Sequence, residues 1–180
     1  ENDVRPMGRN ARGVRGMNIE DHQSVIAMLV ADAESADAML SGDAEAAASS
    51  SAQSVLTATE NGYGKRTHIS EYTRHGRGTK GMIAIQQSER NGKVVAATLV
   101  SPDDQIMLIT DTGVLVRTRV AEIREMGRAT QGVTLISLDE GAKLSGLQRI
   151  VENDAQADEN AEGADSEGSE GNADDTPATE

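Results

Sequence analysis

Arginine and lysine recur in this chain within glycine-bounded turns, a pattern that suits the binding of phosphate oxygens. One element, of the form Gly-Arg-x-[Ala/Thr]-[Arg/Lys/Gln]-Gly-[Val/Met], occurs three times. Its copies are Gly8-Arg9-Asn10-Ala11-Arg12-Gly13-Val14, continued by Arg15 and Gly16; Gly76-Arg77-Gly78-Thr79-Lys80-Gly81-Met82, preceded by Arg74; and Gly127-Arg128-Ala129-Thr130-Gln131-Gly132-Val133. Glycine at either end lets the backbone take positive φ and approach a ligand closely. Guanidinium groups supply charge-assisted donors that match phosphate, and the amides of such a turn can add to an anion site. The plainer alternative is that the glycines only shape a turn and the arginines are solvated. Recurrence favours the phosphate role, because each unit of the fold then presents the same basic loop.

A second block is also repeated. Thr59-Glu60-Asn61-Gly62-Tyr63-Gly64-Lys65-Arg66-Thr67 aligns without gaps on Thr110-Asp111-Thr112-Gly113-Val114-Leu115-Val116-Arg117-Thr118, 51 residues later. Glu60-Asn61-Gly62 and Asp111-Thr112-Gly113 predict tight turns between strands, with Gly62 and Gly113 as the turn glycines. Lys65 and Arg66, and in the other copy Arg117 and Arg119, fall on the strand that follows. Strand alternation puts Arg117 and Arg119 on one face and Val116, Thr118 and Val120 on the other, which fits a basic rim over a core. An ordinary polar outer face fits the same pattern. The candidate phosphate contacts are therefore Arg9, Arg12, Arg15, Lys65, Arg66, Arg74, Arg77, Lys80, Arg117, Arg119 and Arg128.

The elements that must position these groups follow from the spacing. The second and third Gly-Arg elements stand 51 residues apart, matching the strand block. A unit of about 50 residues carrying several short strands is the signature of a propeller blade. The first element precedes the second by 68 residues, and the Ala-, Ser- and acid-rich stretch 31–54 accounts for nearly all of the excess. That stretch reads as a solvated loop insertion, with a partner-binding helix as the alternative. Apolar runs predict strands at Val25–Val30, Val55–Ala58, Met82–Ile85, Val94–Val100, Ile106–Ile109, Val114–Val120, Val133–Leu138 and Leu144–Val151. Ile106-Met107-Leu108-Ile109, apolar throughout, predicts a strand buried on both faces. Helix is confined to Ala44–Ala48 and a turn near Ala121–Glu125.

Charge divides the chain. All 17 Lys and Arg lie within residues 1–150, whereas 11 of the 30 Asp and Glu lie in 151–180. With the five acids of 31–54 also set apart, the repeated body is mildly basic, at +3, beside a tail of −11. Such asymmetry points to nucleic acid or membrane contact. Residues 152–180 carry no Leu, Ile, Val, Met or aromatic side chain, so they are expected to be a disordered acidic tail. By its charge the tail is expected either to compete with a ligand for the basic surface or only to aid solubility.

Cysteine is absent, which excludes disulfides and thiolate metal sites and fits a reducing compartment, the cytoplasm by default. No apolar run is long enough for a membrane helix, and the first residues have no signal-peptide plan. The chain does not begin with Met and reads as a fragment. Gly64-Lys65-Arg66-Thr67 fails as a P-loop, since Arg66 separates Lys from Thr and no upstream Gly is correctly spaced. His22, His68 and His75 lack metal-ligand spacing, so no metal site is expected. No constellation for nucleophilic catalysis is present, and Tyr63 and Tyr72 read as packing residues. With neither Phe nor Trp, stacking platforms for single strands or RNA are lacking, which favours duplex.

Several stretches together resemble the C-terminal domain of bacterial DNA gyrase A subunits, most like the later blades of a proteobacterial one. They are Val4 to Gly16, Thr59 to Thr67, Asp104-Gln105-Ile106-Met107, Val116-Arg117-Thr118-Arg119-Val120, Gly127-Arg128 with Gln131-Gly132-Val133, and Gly146-Leu147-Gln148-Arg149. The resemblance covers residues 1–30 and 53–152 and implies an all-β, six-bladed β-pinwheel whose basic rim wraps duplex DNA. Residues 1–151 would then be a partial pinwheel of about three blades of four-stranded antiparallel sheet. It further implies a subunit of an ATP-hydrolysing type IIA topoisomerase, working with a gyrase B subunit in an A2B2 complex on the nucleoid. ATP and Mg2+ are expected in the holoenzyme and no cofactor in this segment, which lacks the first-blade basic box and the DNA-cleaving tyrosine. The corresponding subunit of topoisomerase IV and a protein-interaction scaffold are the alternative readings.

Overall fold

Gly62 and Gly113 close the two hairpins around which the chain is organised. Their φ angles are +79° and +86°, and their amides donate to Thr59 O at 3.0 Å and Thr110 O at 3.2 Å. Each is a three-residue hairpin loop, a turn followed by a left-handed residue, as the repeat predicts. The computed structural model describes residues 4–31 and 53–150. All but the ends of the 31–54 insertion, the helix expected at Ala44–Ala48 and the acidic tail lie outside the described residues.

Among the described residues seven strands are formed: β1 Ser54–Thr59, β2 Tyr63–His68, β3 Val94–Val100, β4 Gln105–Thr110, β5 Leu115–Arg119, β6 Val133–Thr134 and β7 Leu144–Ile150. They build two antiparallel sheets, ordered β3-β1-β2-β6 and β5-β4-β7. The sheets repeat one another in detail. Both carry a bulge one step before the turn, at Ala58/Thr59 and Ile109/Thr110. In both, the turn acid receives the amide of a lysine: Lys93 N donates to Glu60 Oε1 at 3.0 Å and Lys143 N to Asp111 Oδ1 at 2.9 Å. Short 3-10 turns follow β2 and β5, at Ile69–Glu71 and Val120–Glu122, the latter near the helical turn expected from sequence.

The first sheet's fourth strand is borrowed. After β5 the chain crosses back to β2, where β6 pairs Thr134 with Tyr63 and Val133 with Gly64. Glycine on both sides permits this approach: a Cβ on Gly64 would overlap Thr57 O and the Leu135 side chain, and one on Gly132 would stand 2.6 Å from Gly64 O. The core is aliphatic, built from Leu56, Ala58, Val100, Ile106, Leu108, Val120, Ile123, Ile136 and Leu144. β1 is buried along its whole length, its hydroxyls satisfied by Glu125 Oε2 (Ser54), Lys65 O (Thr57) and Tyr63 O (Thr59).

Five expectations need correction. Among the described residues there are two sheets, one of four strands and one of three, not three four-stranded blades. Val25–Val30 is not a strand; it lies largely exposed, and no described strand pairs with it. Met82–Ile85 also forms no strand, and Val133–Leu138 contributes only its first two residues. Finally, β4 is not buried on both faces: Ile106 and Leu108 are fully buried, whereas Met107 and Ile109, on the other face, are half-buried.

Candidate nucleic-acid interface

The three Gly-Arg elements form turns whose second glycine takes positive φ, +78° at Gly13, +72° at Gly81 and +82° at Gly132. Their first glycines, Gly8, Gly76 and Gly127, do not, so the opening ends need no left-handed residue; the second loop holds one more inside it, Gly78 at +72°. Within the loops, Ala11 N donates to Gly8 O, Thr79 Oγ1 to Gly76 O and Thr130 Oγ1 to Gly127 O.

Hydrogen bonds, mostly between backbone groups, join the loops in series. Gly78 N donates to Gly16 O at 2.8 Å and Asn18 N to Thr79 O at 2.9 Å, which ties the first element to the second. Gln86 N donates to Thr130 O at 3.0 Å and Arg128 Nη1 to Ile83 O at 3.4 Å, which ties the second to the third. Arg9, Arg12, Arg15, Arg74, Arg77 and Lys80 are exposed along this series. Lys80 also pairs with Glu20 at 3.1 Å. Buried Asn91 stiffens the junction, accepting from Ser88 N and donating to Gln86 O and Gln131 O.

The strand cations separate into different roles. Arg117 and Arg119 stand on the exposed face of β5, in the second sheet, and Arg117 Nε donates to Gln105 Oε1 at 2.6 Å. Arg66 is half-buried, with Nε donating to Ile123 O at 2.7 Å, and braces the crossing segment. Lys65 has to be removed from the surface set. It is 0% exposed, and its Nζ donates to Gly127 O at 2.5 Å and Arg128 O at 2.6 Å, so it cannot reach a phosphate. It lies on the face of β2 that the third Gly-Arg loop covers. Arg128 itself is half-buried, and its Nε is enclosed without a hydrogen-bond partner.

Sequence reasoning missed Arg90, an exposed cation in the β2–β3 connection. Its guanidinium lies 4.6 Å over the Tyr63 ring, and hydrogen bonding from Arg90, then from Thr134, lowers the Tyr63 pKa. No repeat partner marks it, so the 51-residue offset gave no signal there.

Among the described residues no helix is long and apolar enough to cross a membrane, and no cluster of His, Asp and Glu could hold a metal ion. The arrangement offers guanidinium and ammonium groups on neighbouring loops, a chemistry suited to phosphate neutralisation.

The DNA gyrase C-terminal domain, beta-propeller, family matches residues 1–32, 53–101 and 104–150, omitting the bulk of the insertion and the tail. The DNA gyrase A subunit of Neisseria gonorrhoeae is 46% identical over 156 residues, which are 87% of this chain and 16% of that protein. The chain thus spans about a sixth of the length of that curated relative. A solved structure of the DNA gyrase A C-terminal domain superposes with a TM-score of 0.66 at 26% identity, covering 83% of this chain and 45% of that one. The C-terminal domain of DNA topoisomerase IV gives the same TM-score, 0.66, at 18% identity over 82% of this chain and 41% of that one, a likeness of fold alone. With most of its residues matched, the chain belongs to the DNA gyrase C-terminal domain, beta-propeller, family.

Proposed function

We propose that this chain is the DNA-wrapping segment of a gyrase A subunit, holding duplex by its phosphates without reading its sequence. The observation that carries the reading is the series of Gly-Arg loops, tied to one another by backbone bonds and lined by exposed Arg and Lys. Affinity in such a mode comes from phosphate neutralisation, and part of it is spent on bending the duplex. The segment supplies no reacting group. In the complete enzyme, a type IIA topoisomerase with a B subunit in an A2B2 complex, ATP, Mg2+ and the strand-cleaving tyrosine belong to other parts. Wrapped duplex is then presented to that core for negative supercoiling in the cytoplasm, on the nucleoid.

The test uses the full-length protein in complex with its B partner. Changing Arg9, Arg12 and Arg77 to Glu should weaken duplex binding and reduce supercoiling. The dependence of log affinity on log salt should flatten by about 0.9 for each phosphate no longer neutralised. Unchanged affinity and supercoiling would remove the reading. Failure of the unaltered protein to bind duplex at low salt would favour a protein-interaction scaffold.

A further inference from the structure

We infer that Lys65 is a positioning residue: from beneath the third Gly-Arg loop it turns the backbone so that the amides of Arg128 and Ala129, with the Arg128 guanidinium, face a phosphate. The inference rests on the duplex-binding reading above and deepens it, because it assigns one loop a built anion site and names what holds it.

Lys65 and Thr67 project from the same face of β2. Lys65 Nζ donates to Gly127 O and Arg128 O at 2.5 and 2.6 Å, and Thr67 Oγ1 donates to Met126 O at 2.8 Å. Three consecutive carbonyls of the loop are therefore drawn inward to one strand. In a trans peptide the N–H points opposite to the C=O of the same plane, and every described peptide is trans. The N–H groups of Gly127, Arg128 and Ala129 are consequently turned away from β2. Successive amides directed to one side form a concavity suited to an anion. Gly127 and Ala129, on either side of Arg128, are exposed.

Packing alone does not explain a lysine here. An ammonium with no exposure is costly to bury unless its donors are used, and a methionine would fill similar space without that cost. The repeat supplies the control: 51 residues on, the counterpart of Lys65 is Val116, so the strand itself accepts an apolar side chain. Among the described residues, neither the loop at Gly8 nor that at Gly76 has a buried cation on its carbonyls. The third loop is distinguished by having its shape imposed from below.

The experiment takes the full-length protein, in complex with its B partner, and compares it with Lys65→Met, Arg128→Ala and the double variant on linear duplex DNA across a range of salt. Lys65→Met should lower affinity about tenfold and reduce the salt slope by about 0.9, the amount expected when one phosphate goes unneutralised. Arg128→Ala should do much the same, and the double variant should lose no more slope than either alone. Hydrogen exchange without DNA should show faster exchange at Arg128 and Ala129 in Lys65→Met. That arm reports positioning even if the unaltered protein fails to bind duplex, an outcome that sinks only the functional reading. A slope unchanged by Lys65→Met overturns the inference, leaving Lys65 as support for the fold. Additive slope losses overturn it too, since Lys65 would then touch DNA itself. If Lys65→Met does not fold, Lys65→Gln, which keeps a donor for one carbonyl, takes its place with half the exchange effect expected.

Discussion

Burial draws the Lys65 ammonium down to about 8 from 10.5, with the Glu71 carboxylate opposing the fall and Arg128 adding to it. The sign of the consequence follows from proton counting. Between pH 8 and 10.5 the unfolded chain holds a proton on Lys65 that the folded chain has lost, so stability rises with pH across that window. By pH 10 the gain over neutral pH should be about 2–3 kcal/mol relative to Lys65→Met, read from urea unfolding of both proteins. The neutral amine still has two N–H groups for its two carbonyls, so deprotonation need not release the loop. Tyr72, whose phenol is raised mainly by burial, opposes further gain above about pH 10, where the unfolded phenol loses its proton before the folded one does. A parallel pH dependence in the two proteins would contradict this account. The sequence put Lys65 and Arg66 on the strand after the turn, and strand alternation sets Lys65 and Thr67 on one face of it. Which face is covered depends on a loop some 60 residues downstream, as the Lys65 bonds to Gly127 and Arg128 show, and local pattern carries no trace of that. Arg66, Lys65's neighbour, is braced against Ile123 O for the same reason.

The hairpins and their turns were readable because glycine at Gly62 and Gly113 answers a local backbone requirement. Strand β3 matches its predicted limits, Val94–Val100, and β4 and β5 differ by a residue or two at their ends. Sheet edges and layers were less legible. β1, with its serine and threonines, looks less like a core strand than β4, yet β1 is buried throughout because both of its faces are covered. The difference is measurable in β4 itself. Leu108→Ala, at a fully buried site paired across the sheet with Val116 and Leu147, should cost about 2–5 kcal/mol. Met107→Ala, one residue away on the half-buried face, should cost about 1 kcal/mol or less. Equal losses in unfolding free energy would mean that the outer face of β5-β4-β7 is covered after all. Val25–Val30 failed as a strand for a related reason: β-branched composition favours extension, but a strand requires a hydrogen-bonding partner, and no described strand meets this segment.

At the scale of the whole chain, electrostatics sets what the basic loops can hold. Seventeen cations share residues 1–150 with acids that include the five of the insertion, and beyond Ile150 the chain carries eleven acids and no base. We propose that a segment of charge −11 joined to the basic loops acts as a competing polyanion at high effective concentration. Truncation after Val151 in the full-length protein should therefore raise duplex affinity, by about tenfold at low salt. The gain should shrink as salt rises, because screening shortens from about 30 Å at 0.01 M to about 8 Å at 0.15 M. If the tail and the duplex compete for the same Arg and Lys side chains, supercoiling by the complete enzyme should change in the same variant. A solubilising tail predicts instead unaltered affinity at every salt concentration and a loss only in the protein concentration that remains in solution. The two accounts separate most sharply when truncation is combined with the Arg9, Arg12 and Arg77 changes to Glu. Competition for those cations requires the benefit of truncation to fall once they are reversed, whereas a tail that acts only on solubility leaves the two changes independent.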